Sequence, residues 1–137
     1  MQKELSIIGC FGLLLAVYAT PALSASAYDG TYQLVSSTKV SATYTTRGGQ
    51  TGSCPDRNPG PLTIVQGRVQ YTSATGRHFE GTVSPQGRLL LNRIEEVLPN
   101  SSNTFEMNVS GNVDRTGTIR AIQRSYSCSY NFVWQKQ

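Results

Sequence analysis

Histidine is almost absent from this 137-residue chain: there is one, His78, alongside three cysteines, two methionines and one tryptophan. A serine nucleophile needs a histidine base that a carboxylate holds in orientation. His78 sits between Arg77 and Glu80 in an extended segment, and no G-x-S-x-G elbow accompanies it, so no triad is legible. One histidine also leaves a zinc site short of ligands once the cysteines pair. Carboxylates are scarce too, with eight Asp and Glu in all. Glu95 and Glu96 are neighbours and would point opposite ways in an extended chain, so they do not form the pair across a cleft that glycoside hydrolysis needs. Asp29, Asp56 and Asp114 are far apart and make no calcium loop. Gly48-Gly49 is followed by neither Lys-Ser/Thr nor a helical pattern, so it is no phosphate cradle. Helical periodicity is nearly missing after residue 27, and no apolar run reaches the roughly 18–20 residues that span a bilayer. These absences leave no catalytic residue, cofactor or metal ligand to name. They shift the expectation from an enzyme, an unrecognised small hydrolase included, to a binding or structural protein.

The first segment reads as an address. Met1-Gln2-Lys3-Glu4 is a short polar start, and residues 5–18 are apolar apart from Ser6, Gly9, Cys10 and Gly12. Pro21 and then Ala22-Leu23-Ser24-Ala25-Ser26-Ala27 follow. This order of polar start, apolar run and A-x-A site is that of a secretory signal peptide. The expected cut falls after Ala27, with Ala25 second, leaving a domain of residues 28–137 that is exported to the periplasm or secreted. Cys10 precedes most of the apolar run, the wrong place for a lipid-modified cysteine, and no twin arginine marks the alternative export route. Removing the leader takes one lysine and one glutamate, so the net charge stays +4. The cations, mostly arginine, are scattered rather than blocked. A mixed solvated surface is expected first, and an acidic partner second: an anionic polysaccharide, a membrane surface or, least favoured by export, nucleic acid.

Two cysteines then remain, Cys54 and Cys128. Two thiols in an exported chain pair, and their spacing is not the C-x-x-C of a redox pair, so a structural disulfide is expected.

Alternation of period two dominates the rest. In residues 103–113 the odd positions Phe105, Met107, Val109, Gly111 and Val113 are apolar or small, and the even positions are polar. In residues 125–135 Tyr126, Cys128, Tyr130, Phe132 and Trp134 share one face. Such alternation predicts strands with one side on a core. Further strands are expected over residues 30–35, 39–44 (with Val40, Ala42 and Tyr44 on one face), 62–65, 69–72, 79–83 and 88–94. The turns expected between them are Gln66-Gly67-Arg68, Ser84-Pro85-Gln86-Gly87 and Asp114-Arg115-Thr116-Gly117. The last two belong to hairpins that share G-x-V-x-x-x-G-x-[L/I], read as reuse of one turn solution in a meander. A Gly- and Pro-rich loop is expected over residues 45–61, stapled at Cys54, and a second, solvated one over 95–102. Asn100 and Asn108 lie in N-x-[S/T] sequons, which matter only where the host glycosylates.

Phe79 and Phe105 join the final strand's aromatics in filling a barrel or lining a small cavity. Arg88, Arg120 and Arg124 follow turns and could form an exposed basic face.

The sequence resembles a loose class of small exported bacterial proteins. It shares their opening Asp29-Gly30-Thr31-Tyr32, a cysteine before a strand and glycine turn (Cys54, then 62–69), the G-x-V-x-x-x-G hairpins, and a closing cysteine with an aromatic strand (Cys128 to Trp134). That class has no agreed activity, so the resemblance implies a fold and transfers no site residues. The fold expected is a single antiparallel domain of seven to eight strands, a small meander barrel rather than a two-sheet sandwich. The function expected is non-enzymatic binding of a small molecule or a protein, enzyme inhibition being one version. An envelope-associated structural role is the alternative.

Overall fold

The alternating segments become strands, and the strands close on themselves. The computed structural model describes residues 16, 25–96, 104–125 and 127–137. Eight strands form a closed antiparallel barrel: β1 (Gly30–Lys39), β4 (Leu62–Val65), β5 (Arg68–Thr72), β6 (His78–Val83), β7 (Arg88–Glu96), β8 (Thr104–Val113), β9 (Thr118–Arg124) and β10 (Ser129–Lys136). The short strands β2 (Thr43–Thr45) and β3 (Thr51–Ser53) form a separate ribbon inserted between β1 and β4. From β4 to β10 each strand pairs with the next in sequence, and β1 closes the ring by pairing with both β10 and β4. Closure removes the open sheet edges that a two-sheet sandwich would keep. The register of β1 against β10 shifts between Leu34 and Ser36, a bulge that leaves Val35 60% exposed.

Inward positions follow the predicted parity. Tyr130, Phe132 and Trp134 on β10, Phe79 on β6, and Val109 and Val113 on β8 are buried, with Leu62, Ile64, Tyr71, Leu89, Leu91 and Ile119 completing the core. The rings pack on one another: Tyr71 stacks on Phe79 at 5.1 Å, and Trp134 tilts against Tyr71 and Phe132, each at 5.4 Å. The barrel is therefore filled by aromatic side chains.

The repeated G-x-V-x-x-x-G has two causes. Its second glycine, Gly87 or Gly117, closes a turn with φ near +85°. The turn's first residue accepts the fifth residue's N–H through its side chain, Ser84 from Arg88 and Asp114 from Thr118. The same device recurs at Ser73–Arg77 and Thr46–Gln50, four uses among the described residues. The first glycine, Gly81 or Gly111, lies mid-strand where the neighbour presses close. A Cβ there would meet Leu90 O at 2.0 Å or Arg120 O at 2.1 Å. Gly81→Ala or Gly111→Ala should each cost about 1–3 kcal/mol through overpacking against backbone that cannot swing away. Urea midpoints check this, and an unchanged midpoint would mean that the strands can separate there at no cost.

One end of the barrel is laced shut by turns. The carbonyls of Gly67, Gly87 and Gly117 accept the N–H groups of Val83, Val113 and Lys136. Asp29 accepts two more from the Gln66-Gly67 turn, at 2.8 and 3.3 Å. Both turn residues have positive φ, as a two-residue hairpin of primed type requires. A 3-10 turn, Ala25–Tyr28, lies at this end, where the Tyr28 hydroxyl donates to Pro85 O and Tyr28 O accepts from Tyr32. No described helix is long and apolar enough to cross a membrane.

Asp114 adds a pH term. Its carboxylate accepts from the Thr116 hydroxyl at 2.6 Å and from the Thr116 and Thr118 N–H groups, and these bonds hold its pKa below the ordinary 3.8. A depressed carboxylate stabilises the fold above its unfolded pKa and loses that contribution as pH falls through the folded value. Asp114→Asn should therefore flatten the stability profile below about pH 4. Melting curves across the acid range test this, and an acid limb unchanged by the variant would remove Asp114 as its source.

Candidate functional site

The barrel's other end is built differently, with longer connections and one covalent tie. β1 ends at Lys39 and the chain leaves the wall, so the strand expected over 39–44 does not form as one unit. Val40 and Ala42 are exposed, and only Tyr44 turns back, half-buried against the core. The alternation at these three positions mimicked a strand where the chain in fact bends outward. Nor is the 45–61 segment a structureless loop. Thr43–Thr45 pairs with Thr51–Ser53, Tyr44 opposite Gly52, and the Tyr44 ring lies over Gly52. An aromatic covering a cross-strand glycine compensates for the missing side chain.

The ribbon's tip is Thr46-Arg47-Gly48-Gly49-Gln50, exposed except for half-buried Thr46. Its base is held from several directions. Cys54 is bonded to Cys128 with their Cα atoms 5.8 Å apart, as the cysteine count predicted, and both are buried. Cys54 N donates to Ala42 O at 2.8 Å. Residues 54–61 then run as a strap tied to barrel side chains. Tyr130 donates its hydroxyl to Pro55 O at 2.7 Å, and Trp134 Nε1 donates to Gly60 O at 3.1 Å. Ser37 donates to Arg57 O, Gly60 N donates to Thr72 O, and Lys39 Nζ meets Asp56 at 3.0 Å. The outcome is a projection whose base is tied at several points to a barrel packed with aromatic rings. Three prolines in the strap (Pro55, Pro59 and Pro61) further restrict its backbone.

Inside the barrel, polarity is satisfied. Tyr71 donates to Gln123 Oε1 at 2.9 Å, and burial raises the Tyr71 pKa far above its ordinary value. Burial, reinforced by Asp29 and Asp114, also raises that of Tyr32. Among the described residues no buried side-chain nitrogen or oxygen lacks a partner.

The sequence-predicted positions separate accordingly. His78 and Glu80 meet at 2.9 Å on the outer wall, both side chains about half exposed or more. Asp29 and Asp114 serve turns, while Asp56 pairs with Lys39. The described residues contain no cluster of three metal-ligating side chains. Gly48-Gly49 lies in the ribbon tip. Glu95 and Glu96, expected in a loop, instead end strand β7, opposite Phe105 and Thr104, because the β7–β8 hairpin runs two residues further than its pattern. The final strand starts at Ser129, not Ser125: the Ser125 hydroxyl bonds Cys128 and makes a turn there. Tyr126 and Asn100, and the side chain of Phe105, fall outside the described residues. Asn108 is half-buried on the outer face of β8, and Arg88, Arg120 and Arg124 are exposed.

The ribbon escaped the sequence reading because its Thr-Tyr-Thr and Thr-Gly-Ser strands are three residues each, too short for their alternation to stand out from a loop. The recurring Thr46-x-x-Gly49 turn was the signal that could have found it. Comparison with protein-family models, curated proteins and solved structures gives no match.

Proposed function

We propose that this is an exported, non-enzymatic binding protein that engages a protein partner through the β2–β3 ribbon, with blockage of an enzyme's cleft as one form of that engagement. The observation that carries the reading is the rigid mounting of an exposed tip on a filled barrel. Tip residues 47–50 are in solvent, while the disulfide, Tyr130, Trp134 and the Lys39–Asp56 pair fix the base. Rigid presentation lowers the ordering cost of association, which is how short loops reach high affinity. The stacked aromatics favour a protein over a small molecule enclosed in the barrel, because Trp134 and Phe132 already fill that space. Export through a leader at 1–27 agrees with the disulfide, since such bonds persist in oxidising compartments. The protein acts as a monomer in this reading.

The test is a photo-reactive phenylalanine analogue placed at Arg47, and separately at Gln86 on the opposite end, in protein expressed in its own host. A defined cross-linked protein from position 47 and none from position 86 is the expected result. Equal labelling from both positions, or none from position 47 in cells that make the protein, would overturn it.

A further inference from the structure

A second surface, unrelated to the ribbon, lies on the outer wall of β7, β8 and β9. Strand register places Arg88 opposite Asn112, and Asn112 opposite Arg120, so these three form one row across three strands. Arg124 stands four residues further along β9, opposite Asn108. Two inter-strand steps put the Arg88 and Arg120 backbones about 10 Å apart, and four residues of strand put Arg124 roughly 13 Å from Arg120. All three arginines are exposed, and no described carboxylate lies within ion-pair distance of them. Asp114 reaches Arg120 only through the longer-range charge interaction that helps to lower its own pKa. Between the arginines the wall carries Asn92, Asn108, Ser110 and Asn112, short side chains that donate and accept hydrogen bonds.

We propose that this wall binds an anionic polysaccharide, one bearing carboxylate or sulfate groups at regular intervals. Three guanidiniums with no carboxylate partner among the described residues supply charge complementarity, and guanidinium forks match carboxylate and sulfate geometry. The amides and hydroxyls between them fit the sugar hydroxyls between successive charges. Among the described residues the wall carries no aromatic side chain, and its apolar members, Leu90 (49% exposed) and half-buried Ile122, stand between polar neighbours. The chemistry therefore favours a hydrated chain over a membrane surface.

The experiment measures binding of the folded, disulfide-intact protein to heparin and to polygalacturonate as salt is varied. Three proteins are compared: the parent, the triple variant Arg88→Gln/Arg120→Gln/Arg124→Gln, and a control triple variant Arg47→Gln/Arg57→Gln/Arg115→Gln with the same net charge. The wall variant should bind about tenfold more weakly at low salt, each lost contact being worth about a factor of two to three. The control should bind like the parent, and all three should melt alike. Equal losses in both triple variants would reduce the effect to net charge and overturn the proposal. So would an undiminished wall variant. Arginine-dependent binding to vesicles of phosphatidylglycerol in phosphatidylcholine, with no binding to either polysaccharide, would overturn it in favour of a membrane.

Discussion

A protein with both Cys54 and Cys128 replaced by alanine should melt roughly 15 °C or more below the parent. The bond joins residues 74 apart in sequence. Closing a loop of that size removes chain entropy from the unfolded state worth about 4 kcal/mol. That is a large share of the 5–15 kcal/mol typical of a whole domain, and in a domain of this size each kcal/mol moves the melting temperature by several degrees. The loss has a local part as well. Without the bond, the ribbon base keeps the Cys54 N–H bond, the strap's hydrogen bonds and the Lys39–Asp56 pair. Amide exchange across Thr43–Ser53 should then speed up more than exchange in the barrel strands. Calorimetry with the native disulfide and in the double variant decides the point. A drop of only a degree or two would mean that the two sulfurs are not joined in the folded protein.

Trp134→Ala should be the most damaging single substitution in the barrel, costing about 3–5 kcal/mol. The ring is fully buried, touches Tyr71 and Phe132, and donates to the strap at Gly60 O. Trp134→Phe separates the two roles. It keeps most of the ring volume but leaves the Gly60 carbonyl without its donor, for a cost of about 1–3 kcal/mol. If the indole N–H holds the strap, the Phe variant should also loosen residues 54–61 in amide exchange. Chemical unfolding followed by far-ultraviolet circular dichroism measures both variants, because the chain's one tryptophan is lost in each. Near-equal stability of the Phe variant and the parent, with no change in the strap, would show that the contact to Gly60 contributes nothing.

What the sequence disclosed follows the range of the forces involved. The inward stripe Tyr130–Phe132–Trp134 and the turns at 84–87 and 114–117 are local, set by alternation and by glycine's access to positive φ, and they were readable directly. The disulfide was readable because only two cysteines were left to pair. Barrel closure was expected but not decided by local pattern. It depends on β1 pairing along one edge with β10 and along the other with β4, Tyr32 opposite Leu62. Asp29 looked like an unattached carboxylate because the turn it holds lies 37 residues away. The ribbon was hidden for the opposite reason. Its strands are three residues each, rich in Thr, Ser and Gly, and stabilised by a ring over Gly52 and by ties at the base rather than by alternation. Of the candidate sites, the exposed arginines were legible as residue types, but only strand register shows that Arg88, Asn112 and Arg120 share a row.

The central claim is a filled, stapled barrel that presents a ribbon to a partner outside it. Native mass spectrometry of the protein from the exported fraction of its own host tests this most directly. The account predicts a chain beginning at Tyr28, lighter by two hydrogens than its reduced form, and carrying no small molecule. A chain that still carries residues 1–27, or a small-molecule mass that stays bound in the native protein and leaves on denaturation, would contradict it.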